Sequence, residues 1–310
     1  ARHVLWHKGG TMTSHFTISR LLFAMLLAAV ALSPVLVHGE EDPDEGVDPD
    51  EFEARPLNYG EPLTREAAEK ARGSIKPALL KANQEFAADL FKRLAEGKEQ
   101  QGKNILVSPY CISAALYMLY NGAAGDTRKG MDKAMHLGGL SLEDMNASAQ
   151  GLRQWLSSQG DTTEILCANS LWGRPGLEFG ESFLTRAKDF HDAKLSPVPL
   201  NNEGAKIIND WISEQTKGKI KDMVSQLPPD MVLSLVSALY FRGYWERKFD
   251  KSLTEDGDFK LLGGDAVKRK FMKMGVRHFA YGEAEDYQAI SLDFGELSKN
   301  TILIVLPSEK

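Results

Sequence analysis

Three kinds of feature are scarce in this sequence, and each scarcity removes a class of function. Only two cysteines, Cys111 and Cys167, occur in 310 residues. That excludes a disulfide-stapled scaffold, and two separated thiols with no neighbouring histidine make a poor metal site. Both lie in strongly apolar segments, so two buried free thiols are expected, with a Cys111–Cys167 pair in an oxidising compartment as the alternative. Histidine is sparse as well: beyond residue 39 only His136, His191 and His278 remain. They stand in unlike contexts, and each is read as a surface or capping residue rather than a base. No G-x-S-x-G elbow, H-E-x-x-H pair or phosphate-binding loop accompanies them. No catalytic residue, metal ligand or cofactor is therefore assigned, and the chain is read as a non-enzyme. Long basic runs are missing too, and the net charge of −6 offers nothing to nucleic acid or an anionic membrane.

What is present is globular in proportion. Apolar residues make up 43% and charged residues 26%, enough for a sizeable core in one large domain or two ordinary ones. Residues 1–11 contain no methionine and are set aside as upstream or leader sequence. From Met12 the chain reads as a secretory signal: Arg20 closes a basic start, Leu21 to Val37 is apolar, and Val37-His38-Gly39 supplies small residues for cleavage. A membrane anchor is the rival reading, but the run is short, Ser33-Pro34 interrupts it and acidic sequence follows at once. Residues 12–39 are taken as the signal, and the mature protein is expected to be secreted and extracellular.

Residues 40–76 read as an acidic, disordered tail. Its first part, Glu40 to Glu53, carries nine acidic residues and no basic one. The carboxylate spacing does not match an EF-hand, whose glycine and distal glutamate are out of register here. With Phe52 and Tyr59 nearby, the tail could dock on a basic exosite of a protease. Asn146-Ala147-Ser148 is a glycosylation sequon, placing Asn146 in a surface loop if it is used.

The folded part is expected to span residues 77–310. Leu79, Leu80, Phe86, Ala87, Leu90, Phe91 and Leu94 form a helical stripe that Gly97 closes. After the short apolar run Ile105 to Val107, the stretch NILVSPYCISAALYMLYNGAAGDT (Asn104 to Thr127) turns at Ser108-Pro109 into a second helix. Ile112, Ala115, Leu116, Leu119, Tyr120 and Ala123 are spaced to fill its buried face. Asp126-Thr127 offers the next N-cap. Residues 128–160 read as two short helices, Ile165 to Trp172 as a strand, and Ile207, Ile208, Trp211 and Ile212 as one face of a helix ended near Gly218. Met231 to Arg242 is almost continuously apolar, as in a central strand buried on both faces. Ile290, Leu292 and Phe294 alternate, and Thr301 to Pro307 is solidly apolar, giving an antiparallel hairpin.

These segments carry motifs, in order, that resemble the serpins, the serine protease inhibitor superfamily. Asn104 to Thr127 is similar to N-x-x-x-S-P-x-S-x-S-x-A-L-x-M-L-x-x-G-A-x-G-x-T. Asn83 to Phe86, the Ala168-Asn169-Ser170-Leu171 run, and Ile208-Asn209 through Trp211, Thr216, Gly218, Lys219 and Ile220 follow the family pattern. Ser237 to Trp245 resembles N-A-x-Y-F-K-G-x-W. The resemblance implies an α+β serpin fold, a mixed multi-sheet core with about eight or nine helices. It also implies that the last helices, one strand of the main sheet, the reactive-centre loop and two closing strands lie outside this chain.

The function implied is inhibition, by a monomer, of an extracellular serine protease of chymotrypsin or trypsin type. The protease attacks an exposed loop, and the cleaved loop inserts into the main sheet as a new strand. Ser108, Pro109, Cys111 and Ser237 match the shutter region beneath that sheet, and Trp245 matches the breach at its top. Two of these depart from the family, which usually has Ser where Cys111 stands and Asn where Ser237 stands. A thiol is a weak donor and Ser is shorter than Asn, so a rewired network is expected. That departure keeps open a non-inhibitory carrier, storage protein or chaperone. Arg153 alone supplies positive charge on the helix that is strongly basic in heparin-activated members, so no heparin site is expected there.

Overall fold

The computed structural model describes residues 63–158, 162–261, 264–275, 278–295 and 300–308. The leader, the signal segment and the acidic stretch Glu40 to Glu53 lie outside them. Seven α-helices and eight strands are formed by the described residues: α1 Arg65–Gly73, α2 Pro77–Glu96, α3 Pro109–Tyr120, α4 Gly125–Ala134, α5 Leu142–Ser157, β1 Thr163–Gly173, α6 Glu181–His191, β2 Lys194–Pro197, α7 Asn202–Gln215, β3 Leu233–Gly243, β4 Asp250–Lys260, β5 Ala266–Lys273, β6 Ala280–Glu283, β7 Tyr287–Asp293 and β8 Thr301–Pro307.

Helix α1 falls inside the stretch read as disordered tail. Thr64 caps it by accepting from the Ala67 amide, and Ala71 is buried. Its end packs so tightly on α5 that a Cβ on Gly151 would sit 2.1 Å from Ser74 Oγ and 2.5 Å from the Ala71 carbonyl. The tail reading missed it because α1 is polar on average and buries only Ala71. Its end is held on α5 by the close approach at Gly151 and by hydrogen bonds of Ser74 Oγ to the Ala147 carbonyl, of the Lys76 amide to Ser148 Oγ and of Ser148 Oγ to the Ser74 carbonyl.

The strands form three sheets. The main sheet has the order β2-β1-β3, with β1 parallel to β2 and antiparallel to β3 along its whole length. Strand β4 pairs with β5, and β6-β7-β8 form an antiparallel meander in which Tyr287 faces Pro307. The expected hairpin of β7 and β8 is present. Strand β1 takes the middle position among the described strands, and β3 pairs with it along its whole length. An apolar run reports buried faces; it carries no information about whether an edge is paired.

Helices cover both faces of the main sheet. On one face, Trp211, Ile208 and Ile212 of α7 pack with Trp172, Val198 and Ala238. Trp172 and Trp211 meet edge to face at 6.0 Å. On the other, Tyr110 and Cys111 of α3 and Leu152 and Leu156 of α5 pack with Ile165 and Leu239. The buried face of α3 is mostly not the expected one: Tyr110, Cys111, Ala114, Tyr117 and Met118 are buried, and of the expected residues Tyr120 is buried too, whereas Ile112, Ala115, Leu116 and Leu119 are only partly so. A helix apolar all round gives periodicity no purchase on which side faces the core. Helix α4 starts at Gly125 with no side-chain cap, and Asp126 instead stands in its first turn, paired with Lys129 at 3.0 Å.

Candidate functional site beneath the main sheet

Chain geometry first fixes Ser108. It is buried at the N-cap of α3, where its Oγ accepts from the Cys111 amide at 3.3 Å, and Pro109 occupies the first helical turn. That cap aims the first turn of α3 at the underside of β1 and β3. Cys111 is buried there, packed in one cluster with Cys167. Hydrogen bonding toward Cys167 foremost, and toward Ser108 and Ser237, draws the Cys111 thiol below its ordinary pKa against the opposing effect of burial. Cys167 goes the other way, held well above the ordinary range by its bond to Cys111 and by burial. Ser237 Oγ lies 3.9 Å from Cys167 Sγ, a diagonal contact across the β1–β3 pair.

Ser108, Cys111 and Ser237 thus converge, with Pro109 shaping the turn. Cys167 was missing from that set in the sequence reading, although its position, four residues after the buried Thr163 on a β1 with period two, marks it for the same side of the sheet. Both cysteines are free.

A second buried network lies at the far end of α3. Asn121 Nδ2 donates to Asn146 Oδ1 and to the Tyr117 carbonyl, both at 2.9 Å, and Asn146 Nδ2 returns a bond to Asn121 Oδ1 at 2.8 Å. His191 Nε2 stands 3.0 Å from Asn146 Oδ1. Burial, and secondarily the charge of Arg153, lowers the His191 pKa to about 4. Two sequence expectations are corrected here. Asn146 is not in a loop: it sits in α5 at 1% exposure, both ends of its amide engaged, where no glycosyl transfer can reach it in the fold. His191 is neither a surface nor a capping group but a buried neutral member of the network. A sequon is a local pattern and is blind to tertiary burial. A small cavity beside the network is lined by Tyr110, Tyr117, Arg153, Asn169, His191 and neighbours.

Trp245 stands past the end of β3. Its ring stacks on Phe294 at 4.6 Å and meets Phe249 edge to face at 5.6 Å, and its backbone bridges to Phe294. Gly243 makes room for this, since a Cβ there would lie 2.6 Å from the Phe294 ring. Trp245 therefore joins the main sheet to the β6-β7-β8 sheet. On the α7 side, Lys217 takes a left-handed conformation (φ 54°), followed by Gly218 at φ 75°. This turn carries Lys217 Nζ to 2.5 Å from Glu164 Oε1 on β1 and to 4.6 Å from the Tyr240 ring on β3. Among the described residues no cluster of His, Cys, Asp or Glu is arranged to hold a metal, and no helix is long and apolar enough to cross a membrane.

A main sheet with a helix on each face, a polar cluster beneath its middle strands and an aromatic joint at its end defines the class: an α+β protein built around a mixed sheet. The family model described as serpin (serine protease inhibitor) matches residues 81–310, and the chain belongs to that family. An uncharacterized serpin-like protein of Thermococcus kodakarensis is 34% identical over 244 residues, covering 76% of this chain and 54% of that protein. The leukocyte elastase inhibitor of Bos taurus is 32% identical over 230 residues, covering 73% and 59%. Among solved structures, cleaved kallistatin complexed with heparin superposes with TM-score 0.68 at 29% identity, covering 74% of this chain and 67% of that one. Native tengpin, a thermophilic serpin, gives 0.68 at 26% identity, covering 76% and 59%. The chain thus spans little more than half the length of these two curated relatives.

Proposed function

We propose that this chain is the larger part of a secreted serpin that inhibits a serine endopeptidase as a suicide substrate. The observation that carries the reading is the family match over residues 81–310, laid on a main sheet whose two faces are held by α3 and α7. Relatives named as elastase inhibitors support the same activity. The scissile residue and the target protease are left unassigned. Residues 12–39 support secretion, and Glu40 to Glu53 would act as an exosite contact.

The test is to extend the reading frame beyond Lys310 and mix the longer product with elastase-like and trypsin-like proteases. Inhibition by insertion gives a covalent complex that survives denaturing electrophoresis. Cleavage with no complex, or a loop hinge bearing proline or bulky charged residues, rejects it. The replacement of the family's usual Ser and Asn by Cys111 and Ser237 favours the second reading, a non-inhibitory carrier, storage protein or chaperone, which the same experiment separates.

A further inference from the structure

We propose that Asn121-Gly122 is a spontaneous deamidation site, with water as co-reactant, that the native fold keeps silent and that reacts when the end of α3 opens. It is the only Asn-Gly step in the sequence. Glycine has no Cβ, so its amide nitrogen meets no side-chain obstacle on the way to the preceding side-chain amide. The step lies where α3 ends: Asn121 is the C-cap and is 4% exposed, while Gly122 is exposed. The nucleophile thus stands in water, and its target lies one residue inside the fold.

In the opened chain the Gly122 amide gives up its proton and its nitrogen attacks Asn121 Cγ. A bond from Cγ to the Gly122 nitrogen forms, the Cγ–Nδ2 bond breaks, and ammonia leaves carrying that proton. Water then opens the five-membered imide. Opening on the Cγ side gives aspartate, and opening on the main-chain side gives isoaspartate. In sum one side-chain amide and one water give one carboxylic acid and one ammonia, and nothing is oxidised or reduced.

The fold holds both reacting groups. Ring closure needs the Asn121 main chain turned away from a helical ψ, yet it sits at φ −63° and ψ −25°. The Gly122 amide donates to the Leu119 carbonyl at 2.9 Å. The Asn121 side chain is fixed at both ends: Nδ2 donates to Asn146 Oδ1 and to the Tyr117 carbonyl, and Oδ1 accepts from Asn146 Nδ2 at 2.8 Å. These bonds must release before nitrogen and Cγ can meet, which puts the reaction behind a local opening. The product does not restore them. A carboxylate at position 121 has no donor for the Tyr117 carbonyl or for Asn146 Oδ1, and isoaspartate adds a methylene to the main chain. Each opening that ends in reaction therefore weakens the closed state, and the modification is a one-way record of past openings at this helix end.

The full 310-residue chain, incubated in mildly alkaline buffer with and without guanidinium chloride, tests this. The Asn121 peptide is followed by mass and by isoaspartate-specific enzymatic methylation. In denaturant the expected result is progressive conversion to isoaspartate and aspartate. In native buffer conversion is slower by about tenfold or more, the factor that a local opening costing about 1.4 kcal/mol gives. Gly122→Ala slows the reaction in denaturant. Asn146→Ala, checked as folded by circular dichroism, reacts several times faster than wild type in native buffer and at the wild-type rate in denaturant. Three outcomes overturn the proposal: equal rates with and without denaturant, no reaction at Asn121 in denaturant, and a folded Asn146→Ala variant that keeps the wild-type native rate.

Discussion

His191 has given up the usual histidine behaviour for burial. Its pKa falls from 6.5 to about 4 in the fold, so the unfolded chain binds a proton that the native protein refuses between those values. Stability is therefore complete above about pH 6.5 and declines as pH falls toward 4, by about 3 kcal/mol for this one group. Denaturant melts between pH 4 and 7 check it, and His191→Gln should flatten that part of the profile while losing some stability at pH 7. Asn146 belongs to the same network. Expressed in a glycosylating host, the folded protein should carry no glycan there by intact mass. Asn146→Ala should cost about 2 kcal/mol, because the buried Asn121 Oδ1 loses the Asn146 donor. Neither residue's role is legible locally: a sequon and a lone histidine have the same sequence appearance whether they lie in a loop or a core.

At the scale of elements, the packing of α1 against α5 rests on the absence of a side chain at Gly151. Gly151→Ala should displace α1 and destabilise the protein by about 1–3 kcal/mol, as overpacking does. A chain starting at Pro77 should show no such penalty, because Ser74 and Ala71 are then gone; thermal melts of the four proteins decide. The other elements differ in how openly the sequence announces them. Helix α2 shows its Gly97 stop and part of its stripe, with Leu79 and Ala87 buried but Phe91 exposed, and α7 shows Ile208, Trp211 and Ile212 on its buried face with Ile207 exposed. Helix α3 was legible as a helix from Ser108-Pro109 and its apolar run, yet its core face was not, since it is enclosed on most sides. Strand β3 was legible as a buried strand, and α1 was invisible because its order comes from contacts with a helix far along the chain. Ser108, Cys111 and Ser237 were singled out through motif order, whereas the place of Cys167 beside Ser237 follows only from the strand register.

For the molecule as a whole, the main sheet and the β6-β7-β8 sheet are joined by rings. Phe294 stacks on Trp245 at 4.6 Å, meets Phe241 at 5.1 Å and fills the space left by Gly243. Truncation to Phe294→Ala should cost about 3–5 kcal/mol. It should also raise hydrogen exchange in β7 and change the Trp245 fluorescence, while leaving exchange in α2 and α5 as it was. Uniform loss of protection in all elements would show instead that the joint has no local role.

The pairing of β1 with β3 has a consequence for how the protein is made. Cys167 and Ser237, in contact across these strands, are 70 residues apart in the chain. A ribosome adding about 5–20 residues per second emits β1 several seconds before its antiparallel partner emerges. Strand β2 arrives sooner but covers only the last four residues of β1. For that interval an apolar strand waits in the cell with most of its hydrogen-bonding groups unmatched, a period in which a chaperone that holds extended segments has something to hold.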